Sequence, residues 1–500
     1  MGEDQMEPAL QVIVLGSGGG PLESNVTSFL VRSVAQNWHR GSVVAVDAGV
    51  HLSSICNLIE AATPSPAPSA PFTLTSGPFS GIELPHTSIL ANAAHITQSL
   101  VDTYLITHPH LDHIAGFVIN TAGLPGTRPK KLAGLPSTIQ AFKTHIFNHV
   151  IWPNLSDENN GAGMVTFMRL VEGGSPALGD GEGRGYVEVA DGLQVKIWSV
   201  SHGHCIEKHN HRGSASSAST RFGSHDASMS IPPRRDLYSH PVPPQRTSSL
   251  LSQATFGPGS PQTEQERICV YDSSAYFIQD QKTHREVLIF GDVEPDSLSL
   301  SPRNFQVWNE AAPKIDSGSL RAIFIECSYD DSQCDDRLFG HLKPVYVIQE
   351  LRALASQVAE ARSNRLLNTK KRKRVGSLNE EVPRRNPSLA NLSPEDPVSP
   401  KTITIKASSV DLVHPGPETP PTPHLATPTA ELTLRELESF TSAPMRQLEG
   451  LKVVIIHVKD RLNDGPNVGD QILEQLLEHE KEAQLGCEFV ISKPGQSFFF

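Results

Sequence analysis

The sequence predicts an α/β fold in which strands are layered into a sheet sandwich and helices cover it. Three observations carry this. Short apolar runs of strand length recur along the chain, separated by stretches with helical periodicity. Five of those runs end in His, Asp or Glu, so one edge of the sandwich collects polar side chains. Two long segments poor in aliphatic residues interrupt this pattern without contributing to it.

The first run, residues 10–15 (LQVIVL), alternates too little for an exposed strand and is a buried one. Residues 16–21 (GSGGGP) end it. A dinucleotide-binding turn would need a helix next. Residues 27–32 (TSFLVR) instead return as a second strand, so the glycines belong to a hairpin turn that borders the site. Residues 42–49 (SVVAVDAG) form a third strand, ending in Asp47, which is expected to support nearby histidines. A Pro-, Ala- and Ser-rich loop over 62–79 precedes a helix at 91–100 and a strand at 101–106 (VDTYLI).

Residues 107–113 (THPHLDH) follow that strand directly. Three histidines and one aspartate fall within six positions. A helix would scatter them around its circumference, so a tight loop is expected to aim all four into one cavity. Neutral imidazoles and a carboxylate are the ligand set of zinc and similar divalent ions. A helix is expected over 114–120, and a strand–helix unit over 129–151. His145 and His149 stand four apart in that unit but lack the H-E-x-x-H context.

The strand 193–200 (LQVKIWSV) ends at His202, the best placed of four histidines within ten positions (with His204, His209 and His211). Strands return at 268–271 and 275–278. The strand 287–290 (VLIF) delivers Asp292, with Gly291 permitting close approach. The strand 322–325 (AIFI) delivers Glu326. His341 precedes a helix that begins near Pro344 and continues through Leu354. The strand 451–456 (LKVVII) delivers His457, and a helix over 468–485 and a strand over 487–492 complete the chain.

One domain is expected over residues 8–500, interrupted at 212–262 and 361–442 by insertions unable to bury enough surface to offset their ordering entropy. The second insertion holds a basic cluster at 370–374 and five proline-directed steps, at Ser393, Ser399, Thr419, Thr422 and Thr427, expected as protein-kinase targets. The net charge of −12 argues against a general polyanion binder. Six scattered cysteines suit a reducing compartment. With no apolar signal core and no run near the roughly 20 residues that span a bilayer, the chain is expected to be soluble and cytoplasmic. The basic cluster makes the nucleus a second expected compartment.

His108, His110, Asp112, His113, His202, Asp292 and His457 suit two adjacent divalent ions, one carboxylate being shared. Ions about 3.5–4 Å apart suit phosphoester hydrolysis. The H-x-H-x-D-H motif resembles the hallmark of the metallo-β-lactamase superfamily. Within it, residues 108–116 (HPHLDHIAG) resemble the signature of class II 3′,5′-cyclic-nucleotide phosphodiesterases, the low-affinity fungal type. Phe117 and Thr121 depart from that signature, which has a smaller aliphatic residue and a serine there. The resemblance runs from Val12 to the C-terminus and skips both insertions.

The resemblance implies a four-layered αββα sandwich and two divalent ions, expected to be zinc. His108, His110 and His202 would hold one ion, and Asp112, His113 and His457 the other, with Asp292 bridging. His341, oriented by Glu326, would protonate the departing 3′ oxygen of a cyclic nucleotide, cAMP and also cGMP, releasing a 5′-monophosphate. His341 is also a rival ligand to His457. Two other readings use the same fold, a tRNA 3′-processing endonuclease and an inactive scaffold. The acidic net charge and Leu111, where such nucleases carry glycine, count against the first, and the full ligand set counts against the second.

Overall fold

The structure, a computed structural model, describes residues 7–124, 128–178, 184–207, 267–376 and 446–500. All of the first expected insertion and most of the second, with the five proline-directed steps, lie outside the described residues. Two seven-stranded sheets form the body. The first runs, edge to edge, Ser497–Phe499, Leu10–Gly16, Ser28–Ser33, Val43–Ala48, Val101–Leu105, Lys130–Gly134 and Val165–Arg169. The second runs Val187–Ala190, Leu193–Glu207, Arg267–Asp280, Glu286–Phe290, Leu320–Glu326, Lys452–Ile456 and Glu488–Ile491. Read in these directions, each sheet makes three antiparallel pairings and then three parallel ones.

Alternation along the strands assigns the layers. Val12 and Val14 of the first sheet meet Val287, Ile289, Ala322, Phe324, Val454 and Ile456 of the second in one buried core. Ile13 and Leu15 face the other way, into a core shared with Ile55, Ile59, Ile114 and Phe117 on the helices Leu52–Ala62 and Leu111–Gly123. Leu288, Phe290, Ile323 and Ile325 likewise face Trp308, Leu351 and Ile472, on the helices Asn304–Ser317, Pro344–Gly376 and Val468–Ala483. The result is the expected αββα sandwich. Strands buried on both faces explain why these segments are almost continuously apolar.

Several details differ from expectation. The helix after the histidine motif begins at Leu111, so Asp112 and His113 lie in its first turn rather than in a loop. The strand carrying His202 does not end there but continues to Glu207, with the ladder register shifting between Ser201 and His204. The helix starting at Pro344 continues to Gly376, past the expected onset of the second insertion at 361. Arg362 of this helix bonds Asp316 and Gln447, so residue 362 belongs to the folded body. The helix Asn304–Ser317 gave no clear signal in the sequence, having a mixed surface and an internal Pro313.

Glu207 and Arg267 are partners in the ladder, so the two ends of the segment 208–266 already lie side by side. Replacing residues 208–266 by a short turn is expected to leave a cooperatively folding protein, because shortening a long loop with adjacent ends changes closure entropy little. Thermal unfolding of the shortened chain measures this. Loss of a cooperative transition would show that the segment is structural.

Candidate metal centre and acid–base pair

The seven residues expected to hold metal converge on one centre, with Asp292 in both of its ligand groups. This carboxylate is 1% exposed, just beyond the strand Glu286–Phe290. Its Oδ2 lies 3.6 Å from His108 Nε2, 3.5 Å from His202 Nε2 and 3.3 Å from His457 Nε2. Its Oδ1 lies 3.2 Å from His113 Nε2. On the far side, Asp112 Oδ2 approaches His457 Nε2 at 3.7 Å and His113 Nε2 at 3.9 Å. The side chains fall into two groups that share Asp292. One is His108, His110, His202 and Asp292, the other Asp112, His113, Asp292 and His457. Within each group the ligand-type atoms lie within 4.8 Å of one another.

Buried polar atoms are normally hydrogen-bonded. Here His108 Nε2, His113 Nε2, His457 Nε2 and Asp292 Oδ1 are buried and have no hydrogen-bond partner within the protein. All four point at the shared centre, and a divalent cation would satisfy them. The residues present therefore fit a metal.

Electrostatics agree. Burial pushes the imidazoles of His108, His457 and His202 below the usual histidine range, which keeps them neutral and able to offer a lone pair. Burial also opposes a charge on His113, but the carboxylates of Asp292 and Asp47 overcome it and hold that imidazole well above its ordinary value. Burial disfavours the charged form of Asp292 too, yet His457, His113 and His108 pull it well below the usual carboxylate range. Positive charge is thus already favoured beside Asp292.

His341 lies in neither group that contains Asp292. It joins a third, with His202 and Glu326. Its Nδ1 is 2.8 Å from Glu326 Oε1. That carboxylate is fully buried and fixed by further donors: Val293 N at 2.9 Å, Ser328 Oγ at 2.7 Å and Leu342 N at 3.3 Å. The His341 ring stacks on His457 and tilts against His202, with centroids 5.3 and 4.7 Å apart. His145, His149 and His204 are exposed and belong to none of the three groups. His209 and His211 lie outside the described residues.

The model of class II cAMP phosphodiesterases matches residues 9–222 and 228–371. The chain belongs to this family. A relative named 3′,5′-cyclic-nucleotide phosphodiesterase, from Schizosaccharomyces pombe, is 28% identical over 353 residues, covering 71% of this chain and 77% of the relative. One of the same name from Candida albicans is 28% identical over 386 residues, covering 69% and 82%. The crystal structure of unliganded yeast PDE1 shares the metallo-β-lactamase fold, with a TM-score of 0.57 at 18% identity, covering 99% of this chain and 100% of that one.

In this family member the groups behind the histidines complete the site. Asp47 Oδ2 accepts from His113 Nδ1 at 2.7 Å, as its position at a strand end suggested. Its Oδ1 accepts from Thr107 N at 2.8 Å, which ties the motif to the neighbouring strand. Three supports were not expected. Thr27 Oγ1 lies 2.7 Å from His457 Nδ1, Thr107 Oγ1 lies 3.1 Å from His108 Nδ1, and the Gly340 carbonyl lies 2.8 Å from His202 Nδ1. A hydroxyl or a backbone carbonyl carries no motif of its own, so only Thr107, inside the motif, offered a sequence signal.

The glycine-rich turn does border the site. A Cβ on Gly19 would fall 2.6 Å from His457 Nε2, and one on Gly291 would fall 2.5 Å from Thr107 Cβ. Among the described residues, no helix is long and apolar enough to cross a membrane.

Supports of this kind typically carry about 10–100-fold in metal affinity. Asp47→Asn keeps the size of the side chain but removes the charge that faces His113. It is expected to weaken zinc binding by about that factor, measured by competition with a chromogenic chelator. Unchanged affinity would show that Asp47 serves only the fold.

Proposed function

We propose that this chain hydrolyses 3′,5′-cyclic nucleotides, cAMP and also cGMP, to nucleoside 5′-monophosphates, with two divalent ions, zinc, at the shared centre. The observation that carries the reading is the pair of ligand groups meeting at Asp292, with their buried nitrogens otherwise unsatisfied, in a member of the class II family. We assign His108, His110 and His202 to one ion, Asp112, His113 and His457 to the other, and Asp292 to both. When bound, such a pair of ions supplies an activated water and neutralises charge on the phosphate.

The protein's own proton chemistry falls to His341. With Nδ1 committed to Glu326, Nε2 is the atom free to hold a proton and pass it to the departing 3′ oxygen. Glu326 cannot rotate away, because Val293 N, Ser328 Oγ and Leu342 N all bond it. The imidazole is therefore presented in one orientation. The distances support His457 rather than His341 as the ligand, since His457 Nε2 faces both Asp292 and Asp112.

Around this site we place one catalytic domain over residues 8–500, carrying two insertions, in the cytoplasm and also the nucleus. Protein kinases acting on the Ser-Pro and Thr-Pro steps would be its partners. Rates on cAMP, cGMP and a precursor tRNA, measured side by side with the purified chain, test the reading. Turnover of the cyclic nucleotides with an intact precursor tRNA is expected. Cleavage of the RNA alone would replace this reading with the nuclease one.

A further inference from the structure

The strand that carries His202 is irregular at that residue. Its ladder with the strand Arg267–Asp280 pairs Ser201 with Asp272, and resumes at His204 with Val270. His202 and Gly203 therefore sit in a bulge, where regular pairing does not fix the backbone. Ligand nitrogens must be held closely if a metal is to be bound tightly, so something else has to set the position of His202.

That role falls to the residue two positions after Asp292. The Glu294 backbone N–H donates to the Ser201 carbonyl at 2.8 Å, and the Glu294 carboxylate accepts from Gly203 N at 3.0 Å through Oε2. The two bonds bracket His202 on either side. The second carboxylate oxygen, Oε1, accepts from Ser299 Oγ at 2.5 Å. The Glu294 carbonyl accepts from Asn304 Nδ2 at 2.9 Å, which anchors the segment to the helix Asn304–Ser317. The residue is 5% exposed, and it touches none of the candidate ligand atoms through these bonds.

We propose that Glu294 is a positioning residue that locks the His202 bulge to the Asp292 segment and so sets the spacing of the two ligands. It acts through the backbone of residues 201 and 203 and stays behind the site. The bracket explains how His202 Nε2, on a bulged strand, and Asp292 Oδ2, on a separate strand end, come to lie 3.5 Å apart. The Gly340 carbonyl on His202 Nδ1 fixes the ring, and Glu294 fixes the peptide that carries it. The proposal rests on the reading that His202 and Asp292 hold a metal ion.

The test reads zinc affinity, by competition with a chromogenic chelator, in the full chain and in Glu294→Ala, Glu294→Gln and Ser299→Ala. Thermal unfolding of the metal-free proteins serves as the measure of folding. Glu294→Ala is expected to lose about 10–100-fold in zinc affinity. Glu294→Gln retains an acceptor for Gly203 N–H and is expected to bind nearly as tightly as the parent. Ser299→Ala frees one carboxylate oxygen and leaves the two Glu294 bonds to Ser201 and Gly203 in place. It is expected to show a smaller loss in the same direction, and it carries the test if Glu294→Ala does not fold.

A folded Glu294→Ala protein with parental zinc affinity would overturn the proposal, whatever its thermal stability. So would a Glu294→Gln protein as weak as the alanine variant. Zinc binding is read without substrate. A parent chain that binds zinc but hydrolyses no cyclic nucleotide would overturn the proposed function and leave this inference standing. A parent chain without zinc affinity would overturn both.

Discussion

Asp292→Ala is expected to abolish binding of both metal ions and to bring cyclic-nucleotide hydrolysis down to background. Asp292 is the one side chain common to the two ligand groups, and four histidine nitrogens approach its two oxygens at 3.2–3.6 Å. Its removal takes a ligand from each ion and the negative charge that favours cations at the centre. The effect should therefore exceed that of any single histidine substitution. Asp292→Asn is expected to fare little better, although it preserves volume, because only one of its two terminal atoms can face a cation with a lone pair. Metal analysis of the purified variants, alongside rates on cAMP, reads both consequences. Full metal occupancy in Asp292→Ala would exclude the shared-ligand assignment.

The second large effect separates proton transfer from metal binding. His341→Ala is expected to retain both ions and to lose about 10²–10⁴-fold in turnover, the usual worth of a positioned proton donor. The loss should shrink on a p-nitrophenyl phosphodiester, whose leaving group departs without a proton. His457→Ala is expected to behave differently, losing metal and acting poorly on both substrates, because His457 Nε2 is buried against Asp292 and Asp112. If His341→Ala stripped an ion while His457→Ala kept both, the two roles would have to be exchanged. Fold and reaction class would survive that exchange.

Much of the site was legible because its ligands sit where apolar strands stop. A run such as 287–290 needs no structure to be recognised, and a carboxylate two residues later stands out against it. The same contrast revealed Glu326 and His457. The layering of the fold was legible for the same reason, since strands buried on both faces leave an almost unbroken apolar record.

Other features leave no such record. His202 looked like a strand end, yet it occupies a bulge within a longer strand, because a bulge changes pairing and not composition. Asp112 and His113 were expected in a loop, on the argument that a helix scatters neighbouring side chains. Both lie in the first turn of a helix and still reach the same group at Asp292. Thr27, Gly340 and Glu294 act through a hydroxyl, a carbonyl and a backbone contact, over sequence separations that no local pattern spans. The later turns of the long helix from Pro344 are charged and lack an apolar stripe, so its full length leaves no sequence signal. The bonds of Arg362 to Asp316 and Gln447 carry the folded body past residue 361.

In the proposed mechanism two ions sharing Asp292 carry the hydrolysis of a cyclic nucleotide. Titrating zinc into the metal-free chain while following the conversion of cAMP to 5′-AMP tests it most directly. The expected curve starts from negligible activity and reaches its plateau at two equivalents of zinc, with 5′-AMP as the sole product. Full activity in the metal-free chain, or a plateau at one equivalent, would contradict it.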